Sequence, residues 1–201
     1  EGGNRVLALK AAGDGADLPG TANLGKNFTL AARVKMTGTQ LARLFSAHRG
    51  TGEFTTGELV FDVNPRSGVV RLVVNGQRVL SHPRYFADKQ VHHFAATYAN
   101  GDVALYLDGV RVGDGRLRQG SAHLFSDRTI IEHFGAGRSE VGVTLVGDLR
   151  IGEDPGTRFI TSATSEDNNQ PTEQLSGSVD DILVARRALS DAEVLALSRR
   201  K

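Results

Sequence analysis

The 201-residue sequence predicts an all-β domain, built as a sandwich or a barrel. Apolar and polar residues alternate over many short runs, most regularly over residues 28–36, and a period of two is typical of strands with one buried face. Asn-Gly or Asp-Gly pairs separate several runs, and both residue types tolerate the positive φ of a tight hairpin turn. These pairs are Asn75-Gly76, Asn100-Gly101 and Asp108-Gly109.

The same alternation gives the order of the elements along the chain. Residues 13–20 and 152–174 are rich in Gly, Pro, acids and amides, which predicts loops there. One helix is predicted near the C-terminus, with Ser190 as its N-cap and Glu193 as its capping-box partner. The predicted strands are 6–9, 28–36, 41–47, 58–63, 69–74, 77–80, 91–98, 103–107, 110–112, 129–134, 141–146, 149–151 and 175–185.

Composition excludes several classes of function. The net charge is +1, whereas a domain that grips phosphates carries a clear basic excess, so we expect no nucleic-acid partner. No run of about 18 apolar residues occurs, so we expect no membrane insertion. Cysteine is absent, which excludes disulfides, thiolate metal sites and cysteine nucleophiles within these 201 residues.

Five motifs follow one another along the chain: HHFAATY at 92–98, LYLDG at 105–109, LRIG at 149–152, GSVDDI at 177–182, and RALS at 187–190 followed by Glu193. In type and order they resemble the laminin-G-like domains of the concanavalin A-like lectin/glucanase superfamily. Val91 stands where that family usually has Trp, and the front motif GDGADLP at 13–19, a weaker match, lacks the aromatic residue and the Val of the family pattern. With the front motif included, the matches span nearly the whole chain.

The resemblance implies a two-sheet antiparallel jelly-roll β-sandwich with a short C-terminal helix as a cap. We expect residues 1–201 to form one such domain. The implied function is broader than the implied fold, because this architecture hosts lectins, carbohydrate-binding modules, adhesion domains and glycosidases.

A structural calcium ion is one expected cofactor. Period two places Asp180 on the same face of the last strand as Ile182 and Val184, which are predicted to be core residues. A carboxylate on such a face needs a partner or a cation. The resemblance brings the loop with Asp14 near the last strand, and many relatives hold calcium in such loops. We therefore expect Asp14 and Asp180 to bind calcium, the alternative being that Asp180 caps a turn or pairs with an Arg.

His92 and His93 look like a metal motif but are predicted to be structural. Adjacent residues of a strand point to opposite faces, so the two rings cannot easily share a cation. Catalysis is not expected either. Glycosidases of this superfamily place acids on one strand in an E-x-D-x-E or E-x-D-x-x-E pattern, which the chain lacks.

A glycan-binding surface is the leading functional hypothesis. Such sites stack sugar rings on aromatic side chains and surround them with hydrogen-bonding groups. Aromatic residues are only 6% of the chain and Trp is absent, which counts against tight binding. Phe86 and Phe125 are predicted to be core anchors. The candidate ligand-binding residues are Arg49, Phe54, His82, Arg84 and Tyr85.

We therefore expect a non-catalytic recognition module for carbohydrate or glycoconjugate, within a larger exported protein. The implied location is secreted, periplasmic or at the cell surface, although no signal-peptide pattern follows Glu1. The alternative is a structural or adhesion domain that binds a cell-surface or matrix protein. A glycoside hydrolase without the usual motif is the third hypothesis.

Overall fold

A computed structural model describes residues 6–10, 14–39, 41–48, 56–84, 86–117, 124–126, 129–133, 142–153 and 174–200. The structured elements within these ranges are β1 Leu7–Leu9, β2 Ala16–Leu18, β3 Asn23–Gly25, β4 Asn27–Met36, β5 Ala42–Ala47, β6 Leu59–Asn64, β7 Val69–Val74, β8 Gln77–Ser81, β9 Val91–Ala99, β10 Asp102–Leu107, β11 Val110–Arg116, β12 Leu124–Ser126, β13 Thr129–His133, β14 Val143–Thr144, β15 Leu149–Ile151, β16 Gly177–Ala185 and α1 Asp191–Ser198.

Two large antiparallel sheets confirm the predicted β-sandwich. The six-stranded sheet has the order β1-β16-β4-β9-β10-β11, and the eight-stranded sheet has the order β12-β13-β8-β7-β6-β5-β15-β2. A two-stranded ribbon joins β14 to β3. All three predicted Gly turns have positive φ at both central residues, as at Asp108 (53°) and Gly109 (79°), so the hairpins close as the sequence indicates.

One hydrophobic core fills the space between the sheets. Alternate residues of the long strands β4, β6, β7, β9 and β10 contribute to it, as Leu59, Phe61 and Val63 of β6 do. Phe45 and Phe61 stack with ring centroids 6.2 Å apart. Phe86 is buried in the same core, which confirms its prediction as an anchor, whereas the side chain of Phe125 lies outside the described residues.

Helix α1 packs on the outer face of the six-stranded sheet and forms a second apolar cluster there with side chains of β4, β9 and β10. The predicted capping box is present: Glu193 N–H donates to Ser190 Oγ, and Ser190 N–H donates to Glu193 Oε2 at 2.8 Å. Arg33 reaches from β4 and donates to the carbonyl of Ser198 at 2.6 Å. In the described part of the chain, no helix has the length and apolar character needed to cross a membrane.

The last strand departs from the predicted regular alternation. The register between β16 and β4 shifts between Asp180 and Leu183, and Asp181 adopts a left-handed φ of 48°. Ile182 is consequently 38% exposed and Asp180 is half-buried, so the prediction that both face the core is wrong. The buried residue of this stretch is Val179.

Other elements differ from the prediction in their presence or their bounds. The predicted front loop contains β2, which pairs with β15 although its three residues are too short to show a period. Strand β11 runs to Arg116, beyond the predicted Val112, through a polar stretch at the edge of its sheet. The predicted loop 152–174 lies outside the described residues except for positions 152, 153 and 174.

Candidate functional site

The described residues form a candidate site at the seam where the two sheets meet. Strand β11 is the edge of the six-stranded sheet, and β8 lies opposite it in the other sheet. Ser81 Oγ, at the end of β8, donates to the carbonyl of Val112 at 2.6 Å. This hydrogen bond ties the sheets together at the point where β8 runs out into the loop with His82 and Arg84.

An open cleft of about 540 Å³ lies in this seam. Its apolar wall combines the start of β11, where Val110 is 61% exposed, with the end of β10. Its polar groups are the Arg84 and Arg111 guanidinium groups and the Asp108 carboxylate. The described lining residues are Pro83, Arg84, Leu107, Asp108, Val110, Arg111 and Val112.

Asp108 is the centre of the polar network in the cleft. Its carboxylate accepts from Arg84 Nη2 at 2.6 Å, from the backbone N–H of His93 at 3.0 Å, and lies 2.9 Å from Nδ1 of His92. Burial raises the pKa of Asp108, but the hydrogen bonds from His92 and from His93 N–H outweigh it and bring this pKa below its usual range. Asp108 is therefore ionised at neutral pH, and its hydrogen bonds hold the carboxylate in place.

The two adjacent histidines have opposite environments, as their predicted opposite faces require. His92 lies between Asp108 and Asp88, and the hydrogen bond to Asp108, followed by that to Asp88, raises its pKa against the effect of burial. Burial, followed by the nearby Arg33 charge, lowers the pKa of His93 to about 4. The two rings therefore lie in different surroundings, although the backbone N–H of His93 shares Asp108 with the His92 ring.

Arg111 forms the second cationic side of the cleft. It donates to Asp191 at the start of α1 at 2.6 Å and to Asp114 at 3.3 Å, and its guanidinium lies 5.7 Å from the centre of the Tyr106 ring. The Tyr106 hydroxyl donates to the same Asp191 oxygen at 2.7 Å. The helix therefore helps to hold Arg111 at the cleft.

The predicted ligand-binding residues fall into two groups. Arg84 is in the cleft with its side chain 59% exposed, and His82 is half-buried in the loop leading to it. Arg49, Phe54 and Tyr85 lie outside the described residues. Asp108 and Arg111 were not predicted as site residues, although the Asp-Gly turn that places Asp108 beside the loop after β8 was recognisable.

A cluster of three charged side chains on the eight-stranded sheet was also not predicted from the sequence. Asp62 lies on the face of β6 opposite the core, between Arg43 of β5 and Arg71 of β7. Arg71 Nε donates to Asp62 Oδ1 at 2.9 Å, and Arg43 donates to Asp62 Oδ2. All three side chains are 0–2% exposed, so this face of the sheet contains a buried ion network.

The predicted calcium ligands do not lie together. Asp14 Oδ2 accepts from the backbone N–H of Lys10 at 2.7 Å, just past the end of β1. Asp180 follows Val179, whose partner in β1 is Leu7, so the two carboxylates lie roughly 10–13 Å apart along the strands. This register does not fit one shared ion, and the described residues contain no group of three or more His, Asp or Glu side chains able to hold a metal. The predicted calcium binding by Asp14 and Asp180 stays a prediction.

A second open groove, of about 470 Å³, lies toward the opposite edge of the six-stranded sheet from β11, across β1, β16 and β4. It presents the Lys10 and Lys35 side chains beside hydroxyl groups of Thr37, Ser176 and Ser178. None of the described residues that line it is acidic. This groove is cationic, whereas the seam cleft carries both signs of charge.

No curated protein matches the sequence. Solved structures match the fold over most of the chain at low identity. The carbohydrate-binding module CBM40 of the Ruminococcus gnavus IT-sialidase is 14% identical with a TM-score of 0.63, and the match covers 98% of this chain and 97% of that chain.

Two further structures extend the likeness. The heptameric SAP-like pentraxin of Limulus polyphemus is 17% identical with a TM-score of 0.58, over 96% of this chain and 80% of that chain. Domains LG4-5 of the mouse laminin alpha1 chain are 13% identical with a TM-score of 0.55, over 93% of this chain and 44% of that chain. At these identities the likeness establishes the fold.

The sequence itself matches a family model, Laminin_G_3, over residues 10–150. This stretch includes most strands of both sheets and the seam cleft. With the motif order and the two-sheet architecture already described, the match shows that the chain belongs to the concanavalin A-like lectin/glucanases superfamily.

Proposed function

We propose that this chain is a non-catalytic carbohydrate-recognition module and that the seam cleft binds the glycan. The observation that carries the proposal is the Arg84–Asp108 pair, oriented by His92 and by the backbone of His93 and facing an open cleft. A pre-oriented donor and acceptor beside apolar surface are the elements with which proteins bind sugars.

The chemistry of the cleft favours an acidic sugar. Asp108 accepts from hydroxyl groups, and Arg84 and Arg111 present guanidinium groups that can bind a carboxylate through two parallel hydrogen bonds. Val110 and Val112 offer apolar contact for the C–H face of a ring. The structures of the Ruminococcus gnavus CBM40 include complexes with alpha2,3 and alpha2,6 sialyllactose, which supports testing such glycans first.

The polar groups of the cleft do not support hydrolysis. A glycosidase needs two carboxylates on either side of the scissile bond. Asp108 supplies one, and no other acid is among the described residues that line the cleft. Its hydrogen bonds with Arg84, His92 and the backbone of His93 suit a binding group better than a nucleophile or a general acid. We propose that the module belongs to an exported protein, where glycans are accessible.

Binding of alpha2,3 sialyllactose, measured by isothermal titration calorimetry, tests this function. Arg84→Ala removes a charged hydrogen-bond donor, a loss of about 1.5–3 kcal/mol, so we expect affinity to fall roughly 10-fold to 100-fold. Arg116→Ala is the matched control, because Arg116 is on β11 in an exposed pair with Asp102 and does not line the cleft. Equal affinity of the wild type and Arg84→Ala would place any binding elsewhere.

The alternative function is adhesion to an acidic protein. The Lys10–Lys35 groove supports it, since two lysines beside hydroxyl groups suit an acidic surface. A glycan array without hits, together with salt-sensitive binding of an acidic protein that is lost in a Lys10→Ala, Lys35→Ala double variant, would favour adhesion. A Lys26→Ala, Lys89→Ala variant is the charge-matched control.

A further inference from the structure

The His92 ring lies between two carboxylates. Its Nδ1 is 2.9 Å from Asp108 Oδ2, and its Nε2 is 3.0 Å from Asp88 Oδ1 and 3.2 Å from Asp88 Oδ2. An ionised carboxylate only accepts hydrogen bonds, so both interactions are favourable only when both ring nitrogens carry a proton. The observed geometry therefore fits the imidazolium form of His92.

The His92 ring is largely shielded from water. His92 is 6% exposed, and the Phe86 and Phe94 rings pack against it at centroid distances of 6.2 Å each. The residue opposite His92 in the neighbouring strand β4 is the apolar Val34. The charged groups that face it are Asp88 from the loop before β9, Asp108 from the turn after β10, and Arg84 through Asp108.

The same Asp108 oxygen that faces His92 also binds Arg84. Arg84 Nη2 donates to Asp108 Oδ2 at 2.6 Å, and the Arg84 side chain is otherwise largely exposed. When His92 is neutral, one of its nitrogens presents a lone pair to a carboxylate, and the interaction there changes from attraction to repulsion. When the proton leaves from Nδ1, Asp108 loses the hydrogen bond from His92, and the Arg84 guanidinium is paired with a less firmly held carboxylate.

We propose that His92 is a positioning residue for the cleft: its imidazolium holds Asp108, and through it Arg84, in the geometry that binds a glycan, so affinity falls when the ring loses its proton. This inference rests on the proposed carbohydrate binding at the same cleft. Asp88 does not line the cleft, and it stabilises the protonated His92 ring from the side opposite Asp108.

The direction of the pH dependence follows from the partners. The hydrogen bond to Asp108 and then that to Asp88 raise the pKa of His92 above its ordinary value of 6.5, despite burial. The protonated form therefore prevails below pH 6.5 and is lost as pH rises through the raised pKa. His93 is neutral across this range because burial lowers its pKa to about 4, so it does not contribute to the transition.

Two titrations over the same pH series test the proposal. Nuclear magnetic resonance of ¹⁵N-labelled imidazole follows the protonation of His92, and calorimetry follows the affinity for alpha2,3 sialyllactose. We expect affinity to be constant at low pH and to fall about 10-fold, with a midpoint equal to the His92 pKa. Asp88→Asn removes one carboxylate without touching the cleft lining, so it should lower both midpoints together. Asp102→Asn, at the start of β10 in an exposed pair with Arg116, should move neither.

The outcomes separate this inference from the proposed function. Affinity that stays flat while His92 titrates, or an Asp88→Asn variant that moves the His92 midpoint alone, overturns the positioning role and leaves carbohydrate binding in place. No binding at any pH, with His92 titrating at a raised pKa, overturns both. His92→Gln should bind about 10-fold more weakly than the wild type at low pH, and without the pH transition.

Discussion

At the scale of single residues, the structure places two charge networks at different depths. Asp108 links Arg84 and His92 at the surface of the seam, where the side chains can meet a ligand. Asp62 links Arg43 and Arg71 where none of the three side chains is more than 2% exposed. The buried network matters for stability, because a buried ion pair that loses one partner leaves an uncompensated charge.

Asp62→Ala is therefore expected to destabilise the fold by about 3–5 kcal/mol, because it leaves two buried guanidinium groups facing each other. In a chain of this size that corresponds to a fall of about 6–20 °C in the melting temperature. Asp102→Ala breaks an exposed pair and should cost no more than about 1 kcal/mol. Equal losses in the two variants, measured by urea unfolding, would contradict the structural role of Asp62.

Neither network was predicted as such. The sequence shows single charged residues inside apolar strands, as at Arg71, but the pairing of β5, β6 and β7 that brings three of them together depends on register across the sheet. The motif HHFAATY at 92–98 predicted a structural role for His92, and the structure places its ring between Asp88 and Asp108. Its link to Arg84 could not be foreseen, because the partner Asp108 comes from a turn 16 positions away.

At the scale of elements, the strands were predicted well where turns and alternation agree. The bounds of β7 and β15 are as predicted, and those of β4 and β9 differ by one residue at one end. The bulge in β16 was not predicted, since one inserted residue reverses which side chains face inward without any compositional sign. Asp180 is displaced from its predicted core position for this reason.

Helix α1 offers an element-scale prediction through its capping box. Ser190→Ala removes the acceptor for Glu193 N–H, so we expect a loss of about 1 kcal/mol and faster amide exchange in the first turn. The backbone N–H of Ser190, followed by Arg187, lowers the pKa of Glu193 to about 2, so this cap stays ionised in mild acid. Ser67→Ala, in the exposed turn after β6, is the control. Unchanged exchange in α1 would show that packing alone fixes the helix start.

At the scale of the whole molecule, the two sheets pack around a core and leave an open cleft at their seam. The core follows from alternation, which the sequence records for each strand separately. The cleft follows from the meeting of β8 with the turn between β10 and β11, secured by the hydrogen bond from Ser81 to Val112. Residues distant in sequence meet there, so the fold class was predictable from the sequence, whereas Arg84 is the one predicted ligand-binding residue among the described residues that line the cleft.

The central claim is that the seam cleft binds a carbohydrate. Backbone amide resonances recorded during a titration with alpha2,3 sialyllactose test it most directly, because each shift reports its own position in the fold. The account predicts saturable shifts concentrated at Arg84, Asp108, Val110 and Arg111. Saturable shifts centred on Lys10 and Lys35, or no saturable shift at any concentration for this ligand and its alpha2,6 isomer, would contradict it.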